Sequence, residues 1–318
     1  MASSDKILAL MKAHYEHNNE SFNTLSLQIA ASEAKSGHSV VASEIKALVE
    51  KNRKPSSVAL KFTNSPFDDM IQRADTKMGM ENLVVSEDTR ERLERVILEY
   101  RERNRLLRSG FQNRNKILLG GLTGTGKTMS ASVIASETDL PLYVIRLDRI
   151  ITKYMGATSA KLGQVFDAIE QFEGVYLFDE FDAIGTDRDR DNEVGEMRRI
   201  LTSFLMFMER VDSSSIIVAA TNHLEVLDKA LFRRFDDVIH FELPTLDQIK
   251  LLLSKQLDGR LDSWHANQVA DLLTGLSHAT ICAICNDAIK ESILTNIPID
   301  IDLMKRIIAE KKDYILAV

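Results

Sequence analysis

Apolar residues recur along this chain at two spacings, and the change from one to the other divides it. Across residues 5–33 they fall at helical intervals, at Ile7, Leu8, Leu10 and Met11 and again at Leu25, Leu27, Ile29 and Ala30. The stretch Ser36-Gly37-His38-Ser39 interrupts the run, and a second helical pattern follows through Val40, Val41, Ile45, Leu48 and Val49. Lys51–Leu60, with Pro55 followed by two serines, then reads as a linker. The pattern predicts an N-terminal helical hairpin over 1–55, suited to recruiting a partner or client, and a linker over 56–82.

The spacing predicts a strongly charged amphipathic helix over residues 87–108, and beyond them the spacing changes. Short apolar runs at 116–120, 142–147, 174–180, 215–221 and 238–243 alternate with helical segments. Alternation of this kind predicts an α/β unit over 83–244: a parallel sheet with helices on both faces. From Thr245 the chain is helical, apart from turns at 258–263 and 296–300, which predicts an all-helical C-terminal unit over 245–318. A length of 318 residues accommodates two or three such units.

Composition narrows the function classes. No run approaches the roughly 20 apolar residues that span a bilayer. The N-terminus also lacks the basic-then-apolar order of a secretory signal, so a cytoplasmic protein with no membrane partner is expected. A net charge of −7 argues against nucleic acid as a bulk partner. The basic stretch Arg101, Arg103, Arg105, Arg108, Arg114 and Lys116 is expected to solvate a helix or to pair across a subunit contact, with phosphate contact the weaker reading. Cys282 and Cys285 have the C-x-x-C spacing but no second ligand pair, and the apolar residues around them predict reduced core thiols. His14 and His17 are expected on the surface.

Gly121-x-x-x-x-Gly126-Lys127-Thr128 has the spacing of a phosphate-cradling loop, and it lies where a strand (116–120) meets a helix. Glycines let the backbone turn and aim its N–H groups inward, and a helix N-terminus adds positive potential. Gly121, Thr123, Gly124, Thr125, Gly126, Lys127, Thr128 and Met129 are therefore the expected nucleotide-binding set. Lys127 is suited to the outer phosphates and the Thr128 hydroxyl to Mg²⁺. About fifty residues on, the apolar Val175–Phe178 ends in Asp179-Glu180. Ligand chemistry in parallel sheets sits at that end of the strands. Asp179 is the expected second Mg²⁺ ligand and Glu180 the general base that polarises water. The run 215–221 ends in Thr221-Asn222, where an amide can orient that water or sense the terminal phosphate.

With these motifs in this order, the chain resembles the AAA family of ring-forming ATPases from about residue 80 to 318. Its core is similar to those of membrane-anchored AAA proteases, katanin-type remodelling enzymes and small stand-alone bacterial AAA ATPases. The resemblance implies a P-loop NTPase fold with a helical lid, ATP as substrate, Mg²⁺ as cofactor and a homo-oligomer, typically a hexamer. Leu122 and Thr123 stand where prolines are common in the family, at positions that set loop stiffness. Residues 219–244 match the family's second homology region, which implies that Arg233 and Arg234 reach into a neighbouring subunit's site as arginine fingers. Tyr154-Met155-Gly156, after Lys153, match the pore loop that grips a polypeptide in the central channel. The polar stretch 186–196 falls at the place of a second channel loop, with Arg188 and Arg199 as possible interface residues. In the lid, 275–282 matches a segment whose backbone approaches adenine, here at His278 and Ala279, although His278 replaces a glycine and Thr280 an aspartate. Leu83 and Val84 fall where the family lines the adenine pocket.

The resemblance implies remodelling or unfolding of a protein client threaded through the ring. The alternative is a nucleotide-gated subunit that controls a separate effector, such as a subtilisin-like protease or a nuclease. The chain contains no HExxH zinc motif and no nuclease cluster, so degradation would fall to another polypeptide. A nucleic-acid motor fits the acidic charge poorly.

Overall fold

The computed structural model describes residues 10–12, 19–35, 37–38, 41–46, 69–76, 78–151, 155–185, 194–227 and 229–316. The chain divides into two compact units, Met1–Thr63 and Asn64–Val318. The described part of the first contains helix α1 (Asn19–Lys35), with Ser26, Ile29 and Ala30 buried, and a short helical stretch at 41–46.

The second unit is built on a six-stranded sheet: β1 (Ile71–Ala74), β2 (Lys116–Gly121), β3 (Leu142–Ile145), β4 (Val175–Phe178), β5 (Ile216–Thr221) and β6 (Asp237–Phe241). The strand order is β1-β3-β4-β5-β2-β6. All neighbours run parallel except β1, which pairs antiparallel with β3 at the edge. Every residue of β4 and β5 is buried, which is why these strands read as unbroken apolar runs. Ile71–Ala74 falls in the stretch expected to be linker and is a strand instead. Two of its four side chains face solvent, so it carries almost no apolar signal.

Helix α2 (Glu87–Arg101) starts where the Ser86 hydroxyl accepts from the Thr89 amide and where Glu87 and Asp88 complement the helix dipole. Its buried face, Leu93, Val96, Ile97 and Tyr100, packs on the sheet core with Ile134 of α3 (Lys127–Glu137) and Leu119 of β2. Arg92 of α2 donates to Asp237 at 2.7 Å and to the Val238 carbonyl at 2.8 Å, which fixes the helix to β6. Three residues of the basic stretch also find acidic partners within the chain. Arg101 pairs with Glu137, Arg103 lies 3.6 Å from Glu173, and Arg114 lies 3.4 Å from Glu99.

On the sheet's other flank, α4 (Met155–Gln171) and α5 (Val194–Arg210) enclose an aromatic cluster in which Phe166, Phe178 and Phe181 surround Phe204. Four helices follow the sheet: α6 (Leu246–Leu257), α7 (Ser263–Leu272), α8 (His278–Thr295) and α9 (Ile301–Leu316). The expected turns at 258–263 and 296–300 separate α6 from α7 and α8 from α9, and a further break at 273–277, not expected, separates α7 from α8. Thr245 and Gln248 form a capping box on α6, Asp262 caps α7, and Ser277 caps α8. Ile249, Leu253, Ile281, Ile284, Met304 and Ile307 form the core of this helical part. Neighbouring residues tie the two cores together: Leu83 packs in the sheet core and Val84 in the helical one.

Candidate nucleotide site

β2 ends in Gly121, and the chain turns through 122–126 before α3 begins at Lys127. Two glycines in this turn are steric requirements. A Cβ on Gly121 (φ +146) would lie 2.1 Å from the Phe241 carbonyl oxygen, and one on Gly124 (φ +77) would lie 2.6 Å from the Ser277 hydroxyl. The second contact brings the loop against the N-terminus of α8, where the Ala279 amide donates to the Gly124 carbonyl at 3.0 Å.

Lys127 is 6% exposed, and its Nζ donates to three oxygens: the carbonyls of Gly121 (2.7 Å) and Leu122 (2.9 Å), and Oδ1 of Asn222 (2.8 Å). Burial pushes its ammonium below the ordinary lysine range, and the carboxylates of Asp179 and Asp182 pull it back up. The next residue, Thr128, donates its hydroxyl to Oδ2 of Asp179 at 2.8 Å. The phosphate loop, the tip of β4 and the tip of β5 therefore meet at one place, the C-terminal edge of three adjacent parallel strands. A hydroxyl and a carboxylate side by side are hard oxygen donors suited to Mg²⁺, which binds through one or two protein oxygens plus phosphates and waters. Among the described residues no group of three or more His, Cys, Asp or Glu side chains forms a self-sufficient metal cage.

Glu180 is exposed, with its backbone in the left-handed region (φ 52) and its amide donating to Asp179 Oδ1 at 2.9 Å. Phe181 directly after it is fully buried, bonded through its amide to the Ala220 carbonyl and packed on Phe204. The carboxylate thus projects from an anchored turn.

A cavity of about 380 Å³ lies over these groups. It gathers Thr123–Met129, Asp179, Glu180, Asn222, His278 and Ala279 from the set expected on sequence. Leu83 and Val84 also line it, held in place by the Arg90 guanidinium, which donates to the Leu83 carbonyl at 2.8 Å. Gly121 contributes its carbonyl to Lys127 and does not line the cavity. Asn82, Leu252, Gln256 and Cys282 line it without having been expected; the last three come from α6 and α8, whose helical spacing signals only burial. Cys282 is half-buried at the cavity wall, so only Cys285 is a core thiol, its pKa pushed up to about 12 by burial. His278 is buried and neither ring nitrogen makes a hydrogen bond of ordinary geometry. Burial lowers its pKa, and the Val84 carbonyl facing the ring opposes that shift.

Arg233 and Arg234 are not in this cavity. Both are exposed in the turn before β6, and Arg234 pairs with Glu209 on α5. Tyr154 and Arg188 lie outside the described residues, as do the side chains of Met155 and Arg199. Gly156, near the start of α4, is exposed. Asp182, absent from the expected set, accepts from Thr221 and Asn222 at the tip of β5.

Residues 117–243 match the sequence model of the ATPase family associated with various cellular activities (AAA). An uncharacterised AAA family ATPase of Sinorhizobium fredii, y4kL, is 30% identical over 86% of this chain and 85% of its own length. A putative 26S proteasome regulatory subunit homologue of Methanothermobacter thermautotrophicus is 32% identical over 58% of this chain and 49% of its own. The ATP-dependent zinc metalloprotease FtsH of Parabacteroides distasonis is 30% identical over 67% of this chain, which spans 33% of that protein. The crystal structure of the FIGL-1 AAA domain superposes with a TM-score of 0.61 at 19% identity, covering 78% of this chain and 91% of that one, a likeness of fold.

Proposed function

Because the chain belongs to the AAA family of ATPases, we propose that it is a cytoplasmic, ring-forming enzyme that hydrolyses ATP to remodel or unfold a protein client. The carrying observation is the division of the catalytic groups. One protomer gathers Lys127, Thr128, Asp179, Glu180 and Asn222 around a single cavity, yet leaves Arg233 and Arg234 exposed outside it. A site lacking its guanidinium groups is completed by a neighbouring copy, and a closed ring, a hexamer in this reading, gives every site such a neighbour.

Within the protomer, the loop amides and Lys127 bind the triphosphate and hold it in line with the β4 tip. Leu83, Val84, His278 and Ala279 border the base end of the cavity. Thr128 and Asp179 would hold Mg²⁺, which when bound supplies positive charge to the phosphate oxygens. Glu180 orients and polarises the attacking water, and Asn222, whose Oδ1 accepts from Lys127, orients that water or senses the terminal phosphate. The neighbour's Arg233 and Arg234 stabilise the charge that develops as the terminal phosphoryl group leaves, a planar cation matched to phosphate oxygens. The direct bond between Ala279 and Gly124 couples the loop to the lid helices. On this reading the lid moves with the nucleotide state, and Tyr154-Met155-Gly156 grip the client. The alternative, control of a separate protease or nuclease, uses the same nucleotide cycle and differs in what the ring engages. Nucleic acid has no place in either.

Mixing tests the shared site. Lys127→Ala protein and Arg233→Ala/Arg234→Ala protein are each expected to be inactive alone. Together they are expected to regain turnover, because some interfaces then combine an intact loop with intact arginines. A mixture as inactive as its components, or full turnover by the arginine variant alone, would overturn the reading.

A further inference from the structure

We propose that Asp182, which lines no part of the cavity, is a positioning residue for the reaction: it fixes the tip of β5 so that the Asn222 side chain is held against Lys127. The proposal rests on the hydrolytic reading of the site given above.

Asp182 opens a one-turn helix, Asp182–Gly185, directly after the carboxylate pair and Phe181. Its Oδ1 accepts twice from the end of the neighbouring strand, from the Thr221 hydroxyl at 3.0 Å and from the Asn222 amide at 3.3 Å. The Thr221 hydroxyl in turn accepts from the His223 amide at 3.0 Å. Three successive residues, 221–223, are thus tied to one carboxylate oxygen, directly or through a single hydroxyl. Thr221 is fully buried, where a hydroxyl without a partner is costly, so Asp182 supplies what that position requires.

From this fixed backbone the Asn222 side chain reaches Lys127 Nζ, where its Oδ1 accepts at 2.8 Å. The path from Asp182 to the ammonium is a continuous chain of hydrogen bonds through one residue. Lys127 keeps two further bonds, to the Gly121 and Leu122 carbonyls, that do not depend on Asp182. Losing Asp182 therefore frees the amide of Asn222 while leaving the phosphate loop and its lysine in place. The expected damage falls on turnover and spares nucleotide affinity.

Steady-state kinetics, ATP affinity and thermal melting of Asp182→Ala and Asp182→Asn test this assignment. Asp182→Ala is expected to lose about 10- to 100-fold in kcat, the scale of a misplaced catalytic group, with KM for ATP within about threefold of wild type. Asp182→Asn retains an acceptor oxygen for both bonds and is expected to recover most of that loss. Thr221→Val removes the hydroxyl arm alone and should reproduce a smaller fall in kcat, so the test survives if Asp182→Ala does not fold. Unchanged kcat in Asp182→Ala and Thr221→Val overturns the proposal. So does a rise in KM that accounts for the whole effect, or an equal loss in the Asn and Ala variants. Glu180→Gln, assayed in parallel, separates the two levels. If it is inactive while Asp182→Ala is normal, only this assignment fails; if it turns over fully, the hydrolytic reading fails with it.

Discussion

Lys127 and the pair Arg233–Arg234 carry the same sign of charge and are held in opposite ways. The lysine is 6% exposed and surrounded by three acceptors, two of them fixed carbonyls of its own loop. The arginines sit in an exposed turn, and the ion pair of Arg234 with Glu209 joins side chains that are each nearly half exposed. A cation buried at this cost has one place to act, inside the chain's own cavity. A cation in a water-screened pair gives up little on leaving it, so it is available to another molecule. The contrast separates the half of the site that the chain builds for itself from the half that the proposed ring supplies.

Variants that treat the two regions differently sharpen this comparison. The largest effect is expected from Arg233→Ala/Arg234→Ala, a fall in ATP turnover of about 10³-fold or more, the scale of arginine fingers elsewhere. Its ATP affinity is expected to stay within about threefold and its melting temperature to be unchanged, because an exposed ion pair contributes little to folding. Calorimetric titration and thermal melting check both, and a lost fold or lost affinity would erase the contrast. Lys127→Ala is expected to act the other way, weakening nucleotide binding by about 100-fold or more through loss of charge-assisted bonds in a desolvated site. Wild-type affinity in that variant would remove Lys127 from the phosphates.

The smallest effect concerns His278, buried at the start of α8. Burial lowers its folded-state pKa below the 6.5 of the free side chain. Above that value the imidazole is neutral in both states and contributes no pH dependence. As the pH falls through it, the unfolded chain takes up a proton that the folded chain resists, and stability is lost until the lower folded-state value is passed. Between about pH 7.5 and about pH 5.5 the wild type should therefore lose more melting temperature than His278→Leu. Parallel curves for the two proteins would show that the imidazole does not carry this loss.

How far the sequence could be read varies with how local each signal is. The buried strands were legible because a parallel strand covered on both faces is a run such as Val175–Phe178. The loop was legible because Gly121, Gly124 and Gly126 answer a local demand for positive φ, although the groups that crowd Gly121 and Gly124 come from β6 and the start of α8. β1 was not, because Ile-Gln-Arg-Ala at a sheet edge acquires its conformation from β3 and from nothing in its own pattern. The basic stretch gave only its charge; that Arg101, Arg103 and Arg114 face acids on other elements is a fact of packing. Asp182 was missed for the same reason. It follows a recognised carboxylate pair by two residues, but its partners lie 39 and 40 residues further along and meet it only when β4 and β5 stand side by side.

The left-handed backbone at Glu180 sets thermal endurance against chemistry. A side chain beyond glycine in that region costs roughly 1 kcal/mol, and Glu180 is exposed, so it gains no burial in return. Glycine would settle into the same turn more comfortably, and Glu180→Gly is expected to melt higher than the wild type while hydrolysing nothing. A population of variants screened for heat resistance alone would drift toward that inert protein. The tension at the end of β4 is thus a toll that the proposed role of the Glu180 carboxylate would justify.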